Sequence, residues 1–471
     1  MKEKRKFTFP TTCGLLFILT IVAAILTWII PAGKYDVEKV GNINKVIAGT
    51  FHYIERTPQG PWQVFNATVN GFYRASKLMT MIMFVGAAVH MLQITKTIEL
   101  AFEKIAGGKK TNDALVVLGV MAFMSIGGAA GVFANPTVAL IPIGILITTA
   151  MGLDKASGFL MVYLGAYSGF NVGWANASTL GVAHPIAELP IFSGLNVRII
   201  IHIINFIFNY AFVMLYIRSV RKDSKNSLNY EAGLLENEYM GIGVQDGNME
   251  TEKEKMNSKH LISLIALTVA IVSIIIGSIK FKWSNDHFST VFLILALFIG
   301  LLHGYGINKT FNEFIKGCSK MLNAAFIVGF ANGISIILNN GNILNTIVHA
   351  LSIPMLKMGP ILGANFMFIA NVFINLFIPS GSGQAAAVMP LMVPVADLTG
   401  ITRQVAVQAF QFGDGFSNCL YPTAGTLMGS LGIAGVAWNR YAKKFIPLFL
   451  VQTVFSMITL TILQSIGWTG L

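Results

Sequence analysis

The chain has 471 residues, 54% of them hydrophobic and only 11% charged, with a mean hydropathy of +0.66. A soluble domain carries roughly a quarter charged residues, so this composition excludes one and makes lipid the main solvent. The net charge of +12 lies in short loops between apolar segments, which is the positive-inside pattern of a membrane protein and no nucleic-acid footprint.

The first apolar stretch, 12–31, follows Lys2, Lys4, Arg5 and Lys6 and leads into Pro31-Ala32-Gly33-Lys34. It is long enough to span and is read as a retained first helix with a cytoplasmic N-terminus, not a cleaved signal peptide. Further spans are expected at 77–95, 158–185, 199–218, 261–280, 288–303, 322–342, 404–435 and 445–468. Two other apolar regions, 113–150 and 361–398, are pairs of shorter segments around polar or small tips. The first tip holds Gly127-Gly128-Ala129-Ala130-Gly131 and Asn135-Pro136-Thr137; the second is Pro379-Ser380-Gly381-Ser382-Gly383-Gln384. Both are read as re-entrant hairpins, because irregular backbone at membrane depth is tolerable only where protein buries it or it lines a cavity.

This arrangement puts loops 96–112, 219–260, 304–321 and 436–444 in the cytoplasm, each with several Lys or Arg, and the C-terminus outside. Counting each hairpin as two full spans gives the same parity, so tip composition rather than loop charge favours the hairpins. Residues 219–259, rich in Asn, Glu, Lys and Ser, read as a cytoplasmic linker between an N-terminal half, 1–218, and a C-terminal half, 260–471. Cys13, Cys318 and Cys419 have neither disulfide nor metal-ligand spacing and read as packing residues.

The two halves align at one offset. Pro142 pairs with Pro390, Gly152 with Gly400 and Gly165 with Gly413, each 248 apart (390 − 142), and hairpin falls on hairpin. Phe65-Asn66 and Gly71 fall near Phe311-Asn312 and Gly317, in stretches that look amphipathic and interfacial. The extra span 288–303 gives the two cores opposite orientation. The fold expected is an all-α polytopic membrane protein with inverted repeats, two re-entrant hairpins and two broken helices, the architecture of a secondary transporter.

Helix 158–185 is interrupted at Ser168-Gly169-Phe170-Asn171-Val172-Gly173 and Asn176-Ala177-Ser178-Thr179. Helix 404–435 is interrupted at Gly413-Asp414-Gly415-Phe416-Ser417-Asn418 and Pro422-Thr423-Ala424-Gly425-Thr426. Unwound helices free carbonyls for a cation and N–H groups for a carboxylate; close packing on small residues is the alternative use of the glycines. Solute contacts are assigned to Asn135, Thr137, Asn171, Asn176, Ser178, Thr179, Ser380, Ser382, Gln384, Asn418 and Thr423. Asn418, Asn171 and Asn176 serve equally well for a solute amine or the coupling ion. Asp414, with Gly413 and Ser417, is the candidate ion or proton site, since an acid at membrane depth is costly unless used. Gln408 and Gln411 are further hydrogen-bonding candidates. His184 and Glu188 are placed on an aqueous vestibule, Arg198 and Arg403 read as interfacial anchors, and His90 and His202 as packing histidines. No Ser/His/Asp set, His-rich metal cluster or aspartyl pair stands within the spans, so an enzyme is not expected, and no cofactor beyond a coupling Na+ or H+.

The run from Pro379 to Gln384, with Met389-Pro390, Pro394-Val-Ala-Asp397, Gly400, Arg403-Gln404, Phe410-Gln-Phe-Gly-Asp-Gly415, Asn418 and Pro422-Thr423, resembles the YfcC-type family. That family is grouped with the DcuC-like four-carbon-dicarboxylate carriers and the arginine/ornithine antiporters. Ile186-Ala-Glu-Leu-Pro-Ile-Phe-Ser-Gly194, Arg198, and Thr27-Trp28 before Pro31 add to the resemblance, which covers nearly the whole chain. It implies an elevator-type transporter of the inner membrane, usually a homodimer. The family's acidic first tip, of the Gly-Met-Ala-Glu-Glu-Thr kind, is here Gly131-Val-Phe-Ala-Asn-Pro-Thr137, and its Asn-Pro-Phe is Asn176-Ala-Ser178. Missing acids weigh against a dicationic solute. The function expected is ion-coupled or exchange transport of a small carboxylate-bearing metabolite, a dicarboxylate or an amino acid. Basic amino-acid antiport is the alternative, and a channel the less favoured one.

Overall fold

The computed structural model describes residues 11–40, 43–47, 49–97, 100, 112–133, 136–230, 256–281 and 283–470. Asn135, most of loop 96–112 and residues 231–255 of the linker lie outside the described residues.

The chain is mostly helical. The N-terminal half contains α1 (Thr12–Ile29), α2 (Pro61–Ile94), α3 (Asp113–Ala129), α4 (Thr137–Ala150), α5 (Lys155–Phe170), α6 (Leu180–Ile186) and α7 (Leu195–Lys222). The C-terminal half contains α8 (Ser258–Phe281), α9 (Asn285–Leu302), α10 (Gly306–Lys320), α11 (Leu322–Asn340), α12 (Leu344–Ser352), α13 (Pro360–Asn375), α14 (Gly381–Thr399), α15 (Arg403–Asn418), α16 (Gly425–Ala434) and α17 (Trp438–Ser465). The all-α expectation needs one correction. The polar segment after α1 folds into two antiparallel ladders, β1 (Gly33–Lys34) with β4 (His52–Tyr53) and β2 (Val37–Val40) with β3 (Ile43–Val46).

Among the described residues, six helices, α1, α2, α7, α9, α11 and α17, are long and apolar enough to cross a membrane. The expected spans 158–185 and 404–435 are each split into two helices, and α8 covers the ninth. The stretch that holds Phe65-Asn66 and Gly71 is the first part of the 34-residue α2. Its counterpart in the other half is separate, because the chain turns at Met321 between α10 and α11.

Two helix groups emerge from the packing. In one, α2 runs along α11, α9 and α10, with α1 against α11 and α8 against α9. Backbones touch at the α2–α11 crossing, where a Cβ on Gly71 would stand 2.6 Å from the Gly329 carbonyl oxygen. In the other, α3 and α4 flank α5, while α13 and α14 flank α15; α5 rests on α7 and α15 on α17. The groups meet where α16 packs on α11 and α4 on α2.

Element order in the second group recurs along the chain. Asp154 caps α5 by accepting from Ser157 N–H at 3.0 Å, and Thr402 caps α15 by accepting from Val405 N–H at 3.2 Å. Cap, start and end of these helices are all 248 residues apart (402 − 154, 403 − 155, 418 − 170). Pro142 and Pro390 lie inside α4 and α14.

Candidate functional site

The break between α5 and α6 spans 171–179, and that between α15 and α16 spans 419–424. The second therefore starts later than expected. Gly413, Asp414, Gly415, Ser417 and Asn418 are all helical, and the two glycines serve close packing. A Cβ on Gly413 would stand 2.3 Å from Asn371 Cβ, and one on Gly415 2.5 Å from Asn171 Cα. At the second tip, Gly381 to Gln384 form the first turn of α14, with Ser380 as the cap; only 376–380 is irregular.

Between the helix groups lies a cavity of about 250 Å³. From the broken helices come Ser178, Asn418, Thr423, Gly425 and Thr426; from the second tip, Ser380, Gly381 and Ser382. Its opposite wall is Leu78 of α2 with Asn332 and Ser335 of α11. Among the described residues, no Lys, Arg, Asp or Glu lines it. The N-termini of α14 and α16 both open onto it, and the α16 cap, Ala424, has no side-chain hydrogen bond. Backbone N–H groups at two helix starts therefore supply partial positive charge where the side chains are neutral.

Just behind this wall sits Asp414, fully buried. Its Oδ1 accepts from Asn418 Nδ2 at 3.2 Å, while Oδ2 has no partner. Among the described residues no cationic side chain pairs with it, so the ordinary explanation of a buried acid, an ion pair, does not apply. Gly381 lets the second tip approach: a Cβ there would be 2.4 Å from Thr179 Cγ2 and 3.1 Å from Asp414 Oδ2. Oxygens of Thr179, Gln384, Gln411 and Thr423 are likewise buried without partners. Buried polar atoms of this kind ordinarily take a hydrogen bond, so these are the atoms with capacity left for a solute, an ion or water.

The other assigned residues divide clearly. Ser178, Ser380, Ser382, Asn418 and Thr423 line the cavity. Asn171, Asn176, Thr179 and Gln384 are buried behind it: Gln384 Nε2 donates to Asn371 Oδ1 at 2.9 Å, and Asn176 Oδ1 accepts from Ser178 Oγ at 2.7 Å. Thr137 is not on the cavity; its hydroxyl turns back onto the Phe133 carbonyl. Gly413 and Ser417 are joined to each other, Ser417 Oγ donating to Gly413 O at 2.5 Å, and Asn375 Nδ2 reaches Ser417 Oγ at 2.7 Å. Of the three residues assigned to the ion, Asp414 alone keeps an unpartnered side-chain oxygen.

Two further readings are overturned. His184 is buried rather than on a vestibule, and Arg198 is fully buried rather than interfacial, with Nη1 3.1 Å from His184 Nε2. Arg403 is half-buried and paired with Glu188 and Asp397 at 2.7 and 2.8 Å. His90 bonds Glu313 at 2.9 Å and His202 bonds Ser125 at 2.6 Å, as satisfied histidines do. Asn332 and Ser335 escaped the sequence reading. Their signal was two polar residues one turn apart in the middle of an apolar span, and nothing local says which way they face.

A family model described as "DcuC: C4-dicarboxylate anaerobic carrier" matches residues 9–465. The chain is 28% identical to the "Putative basic amino acid antiporter YfcC" of Escherichia coli (strain K12), over 99% of this chain and 98% of that one. Among solved structures it is similar to the Alcanivorax borkumensis YdaH transporter, at TM-score 0.41 and 14% identity over 98% of this chain and 100% of that one. It is also similar to Neisseria gonorrhoeae MtrF, described within a class of antimetabolite efflux pumps, at TM-score 0.39 and 16% identity over 98% and 96%.

Proposed function

The chain belongs to the DcuC family of C4-dicarboxylate anaerobic carriers and is a multi-pass membrane transporter rather than an enzyme, and on that premise we propose that it carries a small carboxylate-bearing metabolite across the cytoplasmic membrane. One observation carries this reading: the N-termini of α14 and α16 open onto one cavity that no cationic side chain lines among the described residues. Helix starts bind carboxylates without a fixed positive charge, so the solute can be released without breaking a salt bridge.

The solute carboxylate meets Ser380, Ser382, Gly425 and Thr426, with Asn332 and Ser335 closing the far side. Asp414 takes the coupling cation, Na+ or H+, or the ammonium of an amino acid, through its unpartnered Oδ2. Recurrence of cap, helix and proline at one offset supports two repeats of inverted orientation. The cavity's position between two helix groups supports an elevator, in which α3–α7 and α13–α17 move against the rest; exchange or symport, and a homodimer, complete the proposal.

A second reading, antiport of basic amino acids such as arginine and ornithine, draws on the E. coli relative's printed name, a basic amino acid antiporter, and on the unpaired acid. Against it stands the cavity wall, which offers no carboxylate to the second positive charge of such a solute. Uptake into proteoliposomes of labelled succinate, glutamate, arginine and ornithine, with and without ion gradients and internal solute, separates them. Gradient-driven accumulation of an acidic solute is expected. Arginine entry only into preloaded vesicles would establish the second reading, and equilibration without accumulation would indicate a channel.

A further inference from the structure

Away from the cavity, Arg198 near the start of α7 is fully buried, and no carboxylate among the described residues pairs with it. Its Nε donates to Gln408 Oε1 at 2.7 Å and its Nη1 to the Ser193 carbonyl at 2.9 Å. Trp468 lies 5.6 Å from the guanidinium carbon, its ring centroid adding a cation–π contact that spreads the charge without neutralising it.

Donors exceed acceptors here. Arg198 Nη2 and Gln408 Nε2 are both buried without a partner. Each shares a carbon with one end of the Nε–Oε1 hydrogen bond, so both belong to the one Arg198–Gln408 pair. Flipping the Gln408 amide does not help, because it would set an N–H against the Arg198 Nε–H. His184 adds to the excess. Its Nδ1 accepts from Phe192 N–H at 3.1 Å, which places a neutral ring's proton on Nε2, the atom facing Arg198 Nη1. A buried charge without a counter-charge costs several kcal/mol or more, and side-chain rearrangement among the described residues of this cluster supplies no acceptor.

We infer that the junction of α6, α7 and α15 is built around a bound monovalent anion of halide size, held by the Arg198 guanidinium and the Gln408 amide. The anion accepts from Arg198 Nη2 and Gln408 Nε2 and ties the 187–198 segment to α15, about two turns from Asp414 along the same helix. It is a structural counter-ion and is independent of the solute carried.

The test uses the full chain in lipid nanodiscs, unfolded thermally in sodium chloride, bromide or gluconate at equal ionic strength. The wild type is expected to melt at least about 2 °C higher in either halide than in gluconate. Gln408→Glu places a carboxylate on the guanidinium, and this variant is expected to melt at one temperature in all three salts, no lower than the wild type in gluconate. Anomalous scattering from a bromide-soaked crystal is expected to give a peak within hydrogen-bond reach of Arg198 Nη2. Equal wild-type melting in all salts would overturn the inference, since Arg198 would then be neutralised by the chain itself or by water. A full halide response retained by Gln408→Glu would also overturn it, placing the anion elsewhere.

Discussion

Asn171 Nδ2 lies 3.8 Å from Cys419 Sγ, and the two residues are 248 apart, the offset at which the chain aligns with itself. Each is the first residue after its helix, α5 or α15. Equivalent residues of two repeats meet only near the axis that relates them, because their separation is twice their distance from a two-fold. The contact is the one expected of the inverted repeats proposed above, whose pseudo-two-fold would pass through the two helix breaks beside the cavity.

That relationship predicts a cross-link. In a Cys13→Ser, Cys318→Ser background, Asn171→Cys is expected to form a disulfide with Cys419 under a membrane-permeant oxidant. A protease site placed in the 219–259 segment provides the readout. The cleaved halves should migrate together on a denaturing gel until reductant is added; halves that separate without reductant would remove the contact from the argument.

Asp414→Asn tests the coupling role. The substitution keeps the shape and the Asn418 contact but deletes the charge. A charge-assisted hydrogen bond is worth about 1.5–3 kcal/mol, so transport at low solute concentration should fall roughly 10- to 100-fold. The dependence on the driving ion should flatten as well. Undiminished uptake with unchanged ion dependence would leave Asp414 a buried acid without a part in transport.

Much of this was legible in the sequence because it rests on composition and spacing. Apolar runs of spanning length, Gly and Pro in register between halves, and an acid between glycines all have local causes. What was not legible depended on tertiary contact. Gly413 and Gly415 look like helix breakers, yet α15 continues through them because Asn371 and Asn171 press where side chains would be. Arg198 stands at a span end, where snorkelling is the ordinary expectation, but Trp468 from the other half of the chain closes over it. Thr137 and Asn332 are alike in polarity and both donate to a backbone carbonyl four residues back, yet only Asn332 lines the cavity.

Gly381→Ala addresses the meeting of the second tip with the first break. The added methyl would stand 2.4 Å from Thr179 Cγ2 and 3.1 Å from Asp414 Oδ2, so the tip must retreat from Asp414. Transport is expected to fall roughly 10-fold or more, as misplacement near a reacting or binding centre does, while the melting temperature changes little because Gly381 is only half-buried. Full transport by this variant would mean that the tip need not approach Asp414.

The contact between α2 and α11 predicts a stability effect separable from transport. Gly71 faces backbone on α11: a Cβ there would be 2.6 Å from Gly329 O and 2.8 Å from Gly333 N. Backbone cannot rotate away as a side chain can, so Gly71→Ala must push the helices apart, at a cost of about 1–3 kcal/mol. Gly119 on α3 is the control, since a Cβ there meets nothing within 4 Å, and replacing an unobstructed helical glycine by alanine stabilises by roughly 0.5–1 kcal/mol. Thermal unfolding in one detergent should therefore move the two variants in opposite directions from the wild type. A Gly71→Ala protein as stable as the Gly119→Ala protein would mean that α2 and α11 do not touch at this glycine.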